Sequence, residues 1–241
     1  MIGPYGPFRL DARFAFSDFA HWGEGHNDGF RDCVGACRGK RCVIDIGAHI
    51  GLVTLAASSV MADDGLLAAF EPAEANRRLL LRHLELNGLQ GKVRVESALV
   101  GDEEQQSVPF FELDDATGMN TIAPGVMDGK FRRVTRPQVS LDSYCASHGF
   151  RPEVIKIDVE GAELGVLRGA RAVLERDRPL VFLSVHPQQI RSLGESPEEL
   201  AELIRSLRYV CRHADGSPAT DLAFHEYLLF PVEQTQRDET T

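Results

Sequence analysis

The amino-acid sequence predicts an α/β fold in which a mostly parallel sheet is covered by helices. Short apolar runs rich in β-branched residues alternate with segments of helical periodicity along most of the 241 residues. This alternation is typical of parallel strands joined by right-handed crossovers. In addition, the first apolar run enters a turn bracketed by Gly47 and Gly51. Ligands of such folds bind at the carboxyl ends of the strands, which is where this turn lies.

From residue 41 onward the strand-like and helical segments follow one another in order. The strand-like segments are short and apolar, as expected of strands buried on both faces, and they span 41–46, 66–70, 92–100, the start of 152–176, 179–187, 208–213 and 224–230. The helical segments carry apolar side chains at helical spacing and span 52–62, 72–88, the rest of 152–176 and 196–207. Pro72 opens the second helix, an Asn-Gly pair closes it, and a Ser-Pro-Glu-Glu cap begins at Ser196.

The chain divides into three parts. Residues 1–40 are rich in aromatic side chains, and we predict that they pack on the core or cover the active site. Residues 41–232 form the main domain, and residues 233–241 are interpreted as a flexible tail. Residues 101–140 combine Gly, Asp and Pro with short β-like pieces, and they are interpreted as an insertion or hairpin near the strand ends.

Composition excludes several classes of partner. The formal net charge is −10 and the pI is near 5.3, which disfavours binding to nucleic acid. No apolar run approaches the roughly 20 residues of a membrane span, and the N-terminus lacks a secretory signal pattern, so we expect a cytoplasmic protein. The five cysteines lack paired metal spacing and are interpreted as reduced, mostly buried thiols rather than zinc ligands. The sequence carries no signal for an oligomeric state.

The turn after the first strand favours one class of cofactor. Gly47 lets the backbone approach a ligand or adopt a positive φ, and Gly51 lets the next helix pack on the strand. The start of that helix offers free N–H groups to an anion. Dinucleotides favour G-x-G-x-x-G, whereas this turn reads D-x-G-x-x-x-G. The missing glycine disfavours NAD and leaves room for an amino-acid carboxylate such as that of S-adenosylmethionine.

Glu71 supplies a second feature of a nucleoside site. It ends the second strand, where a carboxylate can accept hydrogen bonds from both hydroxyls of a ribose. The alternative is that Glu71 only caps the helix that starts at Pro72. Together, the turn and this carboxylate predict a nucleoside-containing cofactor.

Four blocks, DIGAHIG (45–51), FEPAEANRRLLLRHLELNG (70–88), VSLDS (139–143) and IKIDVEGAELGVLRGA (155–170), resemble the signature blocks of the FkbM family of S-adenosylmethionine-dependent methyltransferases. The resemblance covers roughly residues 42–187. It implies the Rossmann-like fold of class I methyltransferases, a seven-stranded, mostly parallel sheet with helices on both faces and an antiparallel last strand. It also implies methylation of hydroxyl groups on polyketides, sugars or related secondary metabolites.

The resemblance further implies where the cofactor binds. The methionine moiety is expected at the turn after the first strand, the ribose at the end of the second, the adenine after the third, and the transferring methyl at the end of the fourth. The residues concerned are Asp45, Gly47, Ala48, His49, Gly51, Glu71, Pro72, Ser97, Ala98 and Asp158. His49 stands where many relatives have Asn, and Ser184 stands where an acidic residue is common.

The candidates for catalysis lie after the fourth and fifth strands. Asp158, Glu160 and Glu163 place three carboxylates at a strand-to-helix turn, and His186 follows the fifth strand. An alcohol needs a base during methyl transfer, and a histidine with an ordinary pKa of about 6.5 suits that task, so His186 is our predicted proton acceptor. The alternatives are that Glu160 and Glu163 cap a helix and that His186 is a hydrogen-bonded loop residue.

The same cluster of Asp158, Glu160, Glu163 and His186 could hold a divalent cation. The sequence does not favour this, because oxygen-rich clusters are common at helix starts without a metal. We therefore predict a methyltransferase that uses S-adenosyl-L-methionine to methylate a hydroxyl of a small molecule or glycan. N- or carboxyl-methylation on the same fold, an NAD-dependent oxidoreductase and a non-catalytic binding domain are the alternatives.

Overall fold

The computed structural model describes residues 1–24, 27, 29–113, 120–122, 131–213, 216–219 and 221–232. The predicted tail, 233–241, lies outside the described residues, as does part of the 101–140 segment. The strands in the described residues are β1 (Cys42–Ile46), β2 (Leu66–Phe70), β3 (Val93–Glu96), β4 (Leu99–Val100), β5 (Gln105–Glu112), β6 (Arg132–Val139), β7 (Val154–Ile157), β8 (Leu180–Val185), β9 (Tyr209–His213) and β10 (His225–Pro231).

The main sheet has seven strands in the order β3-β2-β1-β7-β8-β10-β9. Neighbours from β3 to β8 are parallel, and β10 is antiparallel to both β8 and β9. The order reverses between β1 and β7, so the turn after β1 and the end of β7 meet at one point of the carboxyl edge. The predicted α/β fold, with its seven strands and antiparallel last strand, is confirmed.

Helices cover both faces of this sheet. Their bounds are α1 (Phe30–Ala36), α2 (Leu52–Val60), α3 (Glu74–Leu86), α4 (Leu141–His148), α5 (Glu163–Arg168), α6 (Arg171–Asp177), α7 (Pro187–Ser192) and α8 (Pro197–Ser206), with a 3₁₀ turn at Ala12–Phe14. Alternate residues of β1 serve the two faces: Ile44 and Ile46 pack with α4, α5, α6 and α8, and Val43 packs with α1, α2 and α3. This alternation is why the strands are apolar on both sides.

Two segments differ from their predicted form. The run 92–100 forms two strands, β3 and β4, rather than one. Strand β3 is the edge of the main sheet, whereas β4 pairs with β6 in a separate sheet ordered β4-β6-β5. The helix expected in 152–176 divides into α5 and α6 at Gly169. There the helix packs against the backbone of Gly101 so closely that a Cβ on Gly169 would overlap the Gly101 carbonyl.

The N-terminal segment packs on the α1–α2–α3 face. Ile2 and Phe30 are buried there, and Phe14, Phe19 and Trp22 lie against the same cluster. Among the described residues, no helix is both long and apolar enough to cross a membrane.

Candidate active site

The turn after β1 is built on two backbone constraints. Gly47 and Gly51 have φ values of +81° and +90°, in the region that favours glycine. The N–H groups of Gly47 and Ala48 both donate to the Phe70 carbonyl at 3.0 Å, which ties the turn to the end of β2. A Cβ on Gly47 would overlap the backbone carbonyl of Asp158. The turn therefore requires glycine at its first position.

Glu71 links this turn to the start of α3. Its Oε2 accepts from the N–H of His49 at 2.7 Å, and its Oε1 accepts from the N–H of Ala73, the N-cap, at 2.9 Å. Burial raises the pKa of Glu71 to about 7, although the backbone N–H groups act in the opposite direction. Glu71 thus bonds the helix start, as one alternative predicted, and it also lines a cleft.

This cleft has a volume of about 720 Å³ and lies at the carboxyl edge of the sheet, within the usual range for small-molecule sites. The predicted cofactor residues that line it are Gly47, His49, Glu71, Pro72, Ala98 and Asp158. Ala48 lines a smaller adjoining cavity of about 100 Å³. The structure thus brings these residues together around one space.

Three predicted cofactor residues lie elsewhere in the part of the chain that the structure describes. Asp45 is buried beneath the turn, where its Oδ2 accepts from the hydroxyl of Thr54 at 2.6 Å. Gly51 packs against Leu80, whose Cδ1 would lie 2.5 Å from an added Cβ. Ser97 is exposed and does not line the cleft. The backbone passes from β3 to β4 at this point, which brings Ala98 rather than Ser97 to the cleft.

Lys156 holds the turn against the end of β7. Its Nζ donates to the Gly47 carbonyl at 3.1 Å and to Asp158 Oδ2 at 3.3 Å, and it lies 3.7 Å from Asp45 Oδ1. Burial alone would lower the pKa of Lys156, but the carboxylates of Asp158 and Asp45 outweigh it and raise that pKa above its usual value. Burial would raise the pKa of Asp158, and Lys156 reverses this and lowers it.

The four predicted catalytic side chains form one cluster, and three of them, Asp158, Glu160 and His186, line the same cleft. His186 Nδ1 lies 2.7 Å from Glu163 Oε1, and Glu163 is fully buried. The other ring nitrogen, Nε2, lies 3.5 Å from Glu160 Oε1 and 3.7 Å from Asp158 Oδ1. The turn between β7 and α5 therefore lies beside His186, the residue that follows β8. This is the grouping that the sequence predicted.

The electrostatics of this cluster favour a positive charge at His186. Burial would lower the pKa of His186, but the hydrogen bond that His186 donates to Glu163 and the carboxylate of Glu160 outweigh it and raise the pKa to about 8. Burial raises the pKa of Glu160 to about 7, and the neighbouring Asp158 adds to this while His186 opposes it. The cluster can therefore exchange a proton, or bind another cation, near neutral pH.

Several residues that contact Glu160 or His186 were missed by sequence reasoning. Thr121 donates to the backbone carbonyl of Glu160 at 2.8 Å, and Gln189 donates to the Glu160 carboxylate at 3.2 Å. The ring of Phe224 lies 5.4 Å from that of His186. These residues come from distant parts of the chain, and no local pattern marks them.

Comparison with models of protein families identifies the family of this chain. A model of the methyltransferase FkbM domain matches residues 45–211. The chain belongs to the FkbM methyltransferase family. The matched region includes the β1 turn, Glu71 and all four residues that we predicted to be catalytic. The resemblance seen in the sequence blocks is thereby confirmed.

Solved structures share the fold of this FkbM methyltransferase domain. The methyltransferase FkbM from Methylobacillus flagellatus KT has 21% identity and a TM-score of 0.53 over 80% of this chain and 44% of that chain. A putative O-methyltransferase from Klebsiella pneumoniae has 14% identity and a TM-score of 0.51 over 87% of this chain and 81% of that chain. The chain thus spans less than half the length of the Methylobacillus protein. No curated protein matches.

Proposed function

We propose that this protein transfers the methyl group of S-adenosyl-L-methionine to a hydroxyl of a small-molecule acceptor. A secondary metabolite of the polyketide or sugar type, or a glycan, fits the family resemblance. One observation carries the proposal: a single cleft is lined by Gly47 and Glu71, which we assign to its cofactor end, and by Asp158, Glu160 and His186, which we assign to its acceptor end. The first end suits a nucleoside with an amino-acid tail, and the second suits an acceptor that must lose a proton.

The residues at the first end fit this cofactor. Gly47 lines the cleft, and the absence of a side chain on it lets the turn pack directly against the backbone carbonyl of Asp158. His49 Nε2 is buried without a hydrogen-bond partner, and an unsatisfied buried group of this kind is costly unless a ligand completes it. Burial lowers the pKa of His49 to about 4, so the ring is neutral and can donate or accept. Glu71 retains acceptor lone pairs for the ribose hydroxyls.

When bound, the cofactor supplies a methyl group activated by a sulfonium. The methyl carbon forms a bond to the acceptor oxygen, the electrons of the broken carbon–sulfur bond stay on sulfur, and the hydroxyl proton leaves. The chain's contribution is to hold the acceptor in line, which can remove several kcal/mol of barrier. The cluster of Asp158, Glu160 and His186 lies where the hydroxyl would enter, and it assists loss of the proton.

Two measurements test this proposal. Calorimetry should detect binding of S-adenosylhomocysteine and no binding of NAD. Transfer of a labelled methyl to hydroxylated acceptors should give a product that resists mild base, because an ether survives conditions that hydrolyse a methyl ester. Tight binding of NAD, or a base-labile product, would contradict the proposal.

A further inference from the structure

We propose that Asp158, Glu160 and His186 form a binding site for a divalent metal ion at the acceptor end of the cleft. Each residue offers one ligand atom, and these atoms lie within 4.8 Å of one another. The atoms are Asp158 Oδ1, Glu160 Oε1 and His186 Nε2. They come from two different strand ends, so the fold itself sets their spacing.

The distances from His186 Nε2 to the two carboxylate oxygens fit ligands that share a metal ion better than they fit direct hydrogen bonds. Hydrogen bonds from a ring nitrogen to a carboxylate are about 2.7–3.2 Å long, whereas His186 Nε2 lies 3.5 Å and 3.7 Å from its two neighbours. Two ligands bonded to one ion at about 2.1 Å lie roughly 3.0–3.4 Å apart. The two distances from Nε2 would reach this range if each shortened by a few tenths of an ångström.

A second, independent observation is the orientation of His186. Its side chain is 6% exposed, and its Nδ1 lies 2.7 Å from Glu163 Oε1. Since a carboxylate only accepts, Nδ1 donates to Glu163, and Nε2 is the ring atom that faces Asp158 and Glu160. A divalent ion would take the place of a proton on Nε2. A carboxylate that orients a histidine through its other nitrogen is the usual support of a metal-bound histidine.

The local charge also favours a cation. Asp158, Glu160 and Glu163 surround His186, and Lys156 is the ammonium group in contact with Asp158. That contact is made through Oδ2 at 3.3 Å, which leaves Oδ1 directed toward Nε2. Once the proton on His186 is displaced, three carboxylates beside one ammonium leave negative charge that a divalent ion would neutralise.

The donor set indicates the class of ion. One imidazole nitrogen and two carboxylate oxygens suit first-row ions such as Mn²⁺, while Ca²⁺ and Mg²⁺ prefer oxygen alone. The role of the ion rests on the proposed function: it would bind the acceptor hydroxyl and lower its pKa, so that the proton leaves to water. His186 is then a metal ligand, and its predicted role as direct proton acceptor would not apply.

The test uses the whole chain after treatment with a chelator. Mn²⁺ is added, and the free ion is measured by electron paramagnetic resonance without cofactor or acceptor. We expect one bound Mn²⁺ per chain and at least tenfold weaker binding in Glu160→Gln. The matched control, Asp64→Asn, changes an exposed carboxylate paired with Arg41 and should bind as the wild type does. Circular dichroism and affinity for S-adenosylhomocysteine verify that each variant is folded.

The outcomes separate this proposal from the proposed function. Unchanged Mn²⁺ binding in Glu160→Gln, or no binding by the wild type, overturns the metal site. Methyl transfer that persists in chelator overturns the catalytic role of the ion and leaves His186 as the proton acceptor. Site-specific Mn²⁺ binding supports the metal site, even where no methyl transfer occurs with any hydroxylated acceptor, a result that would count against the proposed function alone.

Discussion

The backbone carbonyl of Asp158 occupies the position that a side chain on Gly47 would need. The two residues follow neighbouring parallel strands, since Ile46 of β1 is in register with Ile157 of β7. The turn proposed for the cofactor is therefore in direct contact with the residue proposed to face the acceptor. A change at either position is transmitted to the other.

Gly47→Ala should abolish cofactor binding. The added Cβ must displace the Asp158 backbone, and the positive φ adds strain of about 1–2 kcal/mol. We expect at least a hundredfold loss of affinity for S-adenosylhomocysteine, measured by calorimetry, and a lower melting temperature.

Gly149→Ala is the matched control for this variant. Gly149 also has a positive φ, +68°, but nothing lies within 4 Å of an added Cβ. It should lose stability from backbone strain alone and keep its affinity. Equal losses of affinity in both variants would contradict the proposed close approach at Gly47.

Cofactor binding should depend on pH through Glu71. Because the pKa of this buried carboxyl is raised to about 7, it is largely protonated at pH 6 and loses acceptor capacity for the ribose hydroxyls. Affinity for S-adenosylhomocysteine should rise as the pH increases from 5.5 toward 7 and level off above 8. The slope is at most tenfold per pH unit, and calorimetry in buffers of different ionisation enthalpy should show proton release.

The stability of the free chain should change in the opposite sense. A folded pKa above the ordinary value of 4.5 favours folding at low pH, and this contribution is lost as the pH rises through about 7. Glu71→Gln should remove the pH dependence of binding. Glu160→Gln should retain it, although the pKa of Glu160 is also about 7. A flat wild-type profile would contradict the assignment of the ribose to Glu71.

Lys156→Met should be strongly destabilising. The variant leaves Asp45 and Asp158 close together without their shared ammonium, and breaking a buried pair costs about 3–5 kcal/mol. Urea denaturation measures the loss. The double variant Lys156→Met/Asp45→Asn should recover part of it, because one of the buried charges is then removed.

An exposed pair provides the comparison for Lys156. Lys40 lies 3.2 Å from Glu153, and both side chains are more than a third exposed, so Lys40→Met should cost less than about 1 kcal/mol. If Lys156→Met were equally mild, the network beneath the turn would not hold it in place.

The sequence predicts those parts of the fold and site that local patterns encode. Strand and helix periodicity gave the sheet, and the glycines and acids at strand ends gave Gly47, Glu71 and the His186 cluster, because parallel strands bring their carboxyl ends to one edge. Tertiary packing, which no local pattern encodes, brings the Phe224 side chain to the cleft and the Thr121 hydroxyl to the Glu160 carbonyl. Local patterns also could not predict that residues 92–100 divide into β3 and β4, because β4 pairs with β6, a strand about 40 residues later in the chain.

Trp22 offers a direct test of whether the N-terminal segment contributes to ligand binding. It is the one tryptophan of the sequence, and it lines both the large cleft and the small adjoining cavity. S-adenosylhomocysteine should therefore change the tryptophan emission in a saturable way, with the same dissociation constant as calorimetry gives. Gly47→Ala should show no saturable change. N-acetyltryptophanamide corrects for absorption by the adenine. The emission of an indole ring changes when a ligand replaces the water in contact with it. Calorimetric binding without any change in emission would therefore place Trp22 away from the bound nucleoside.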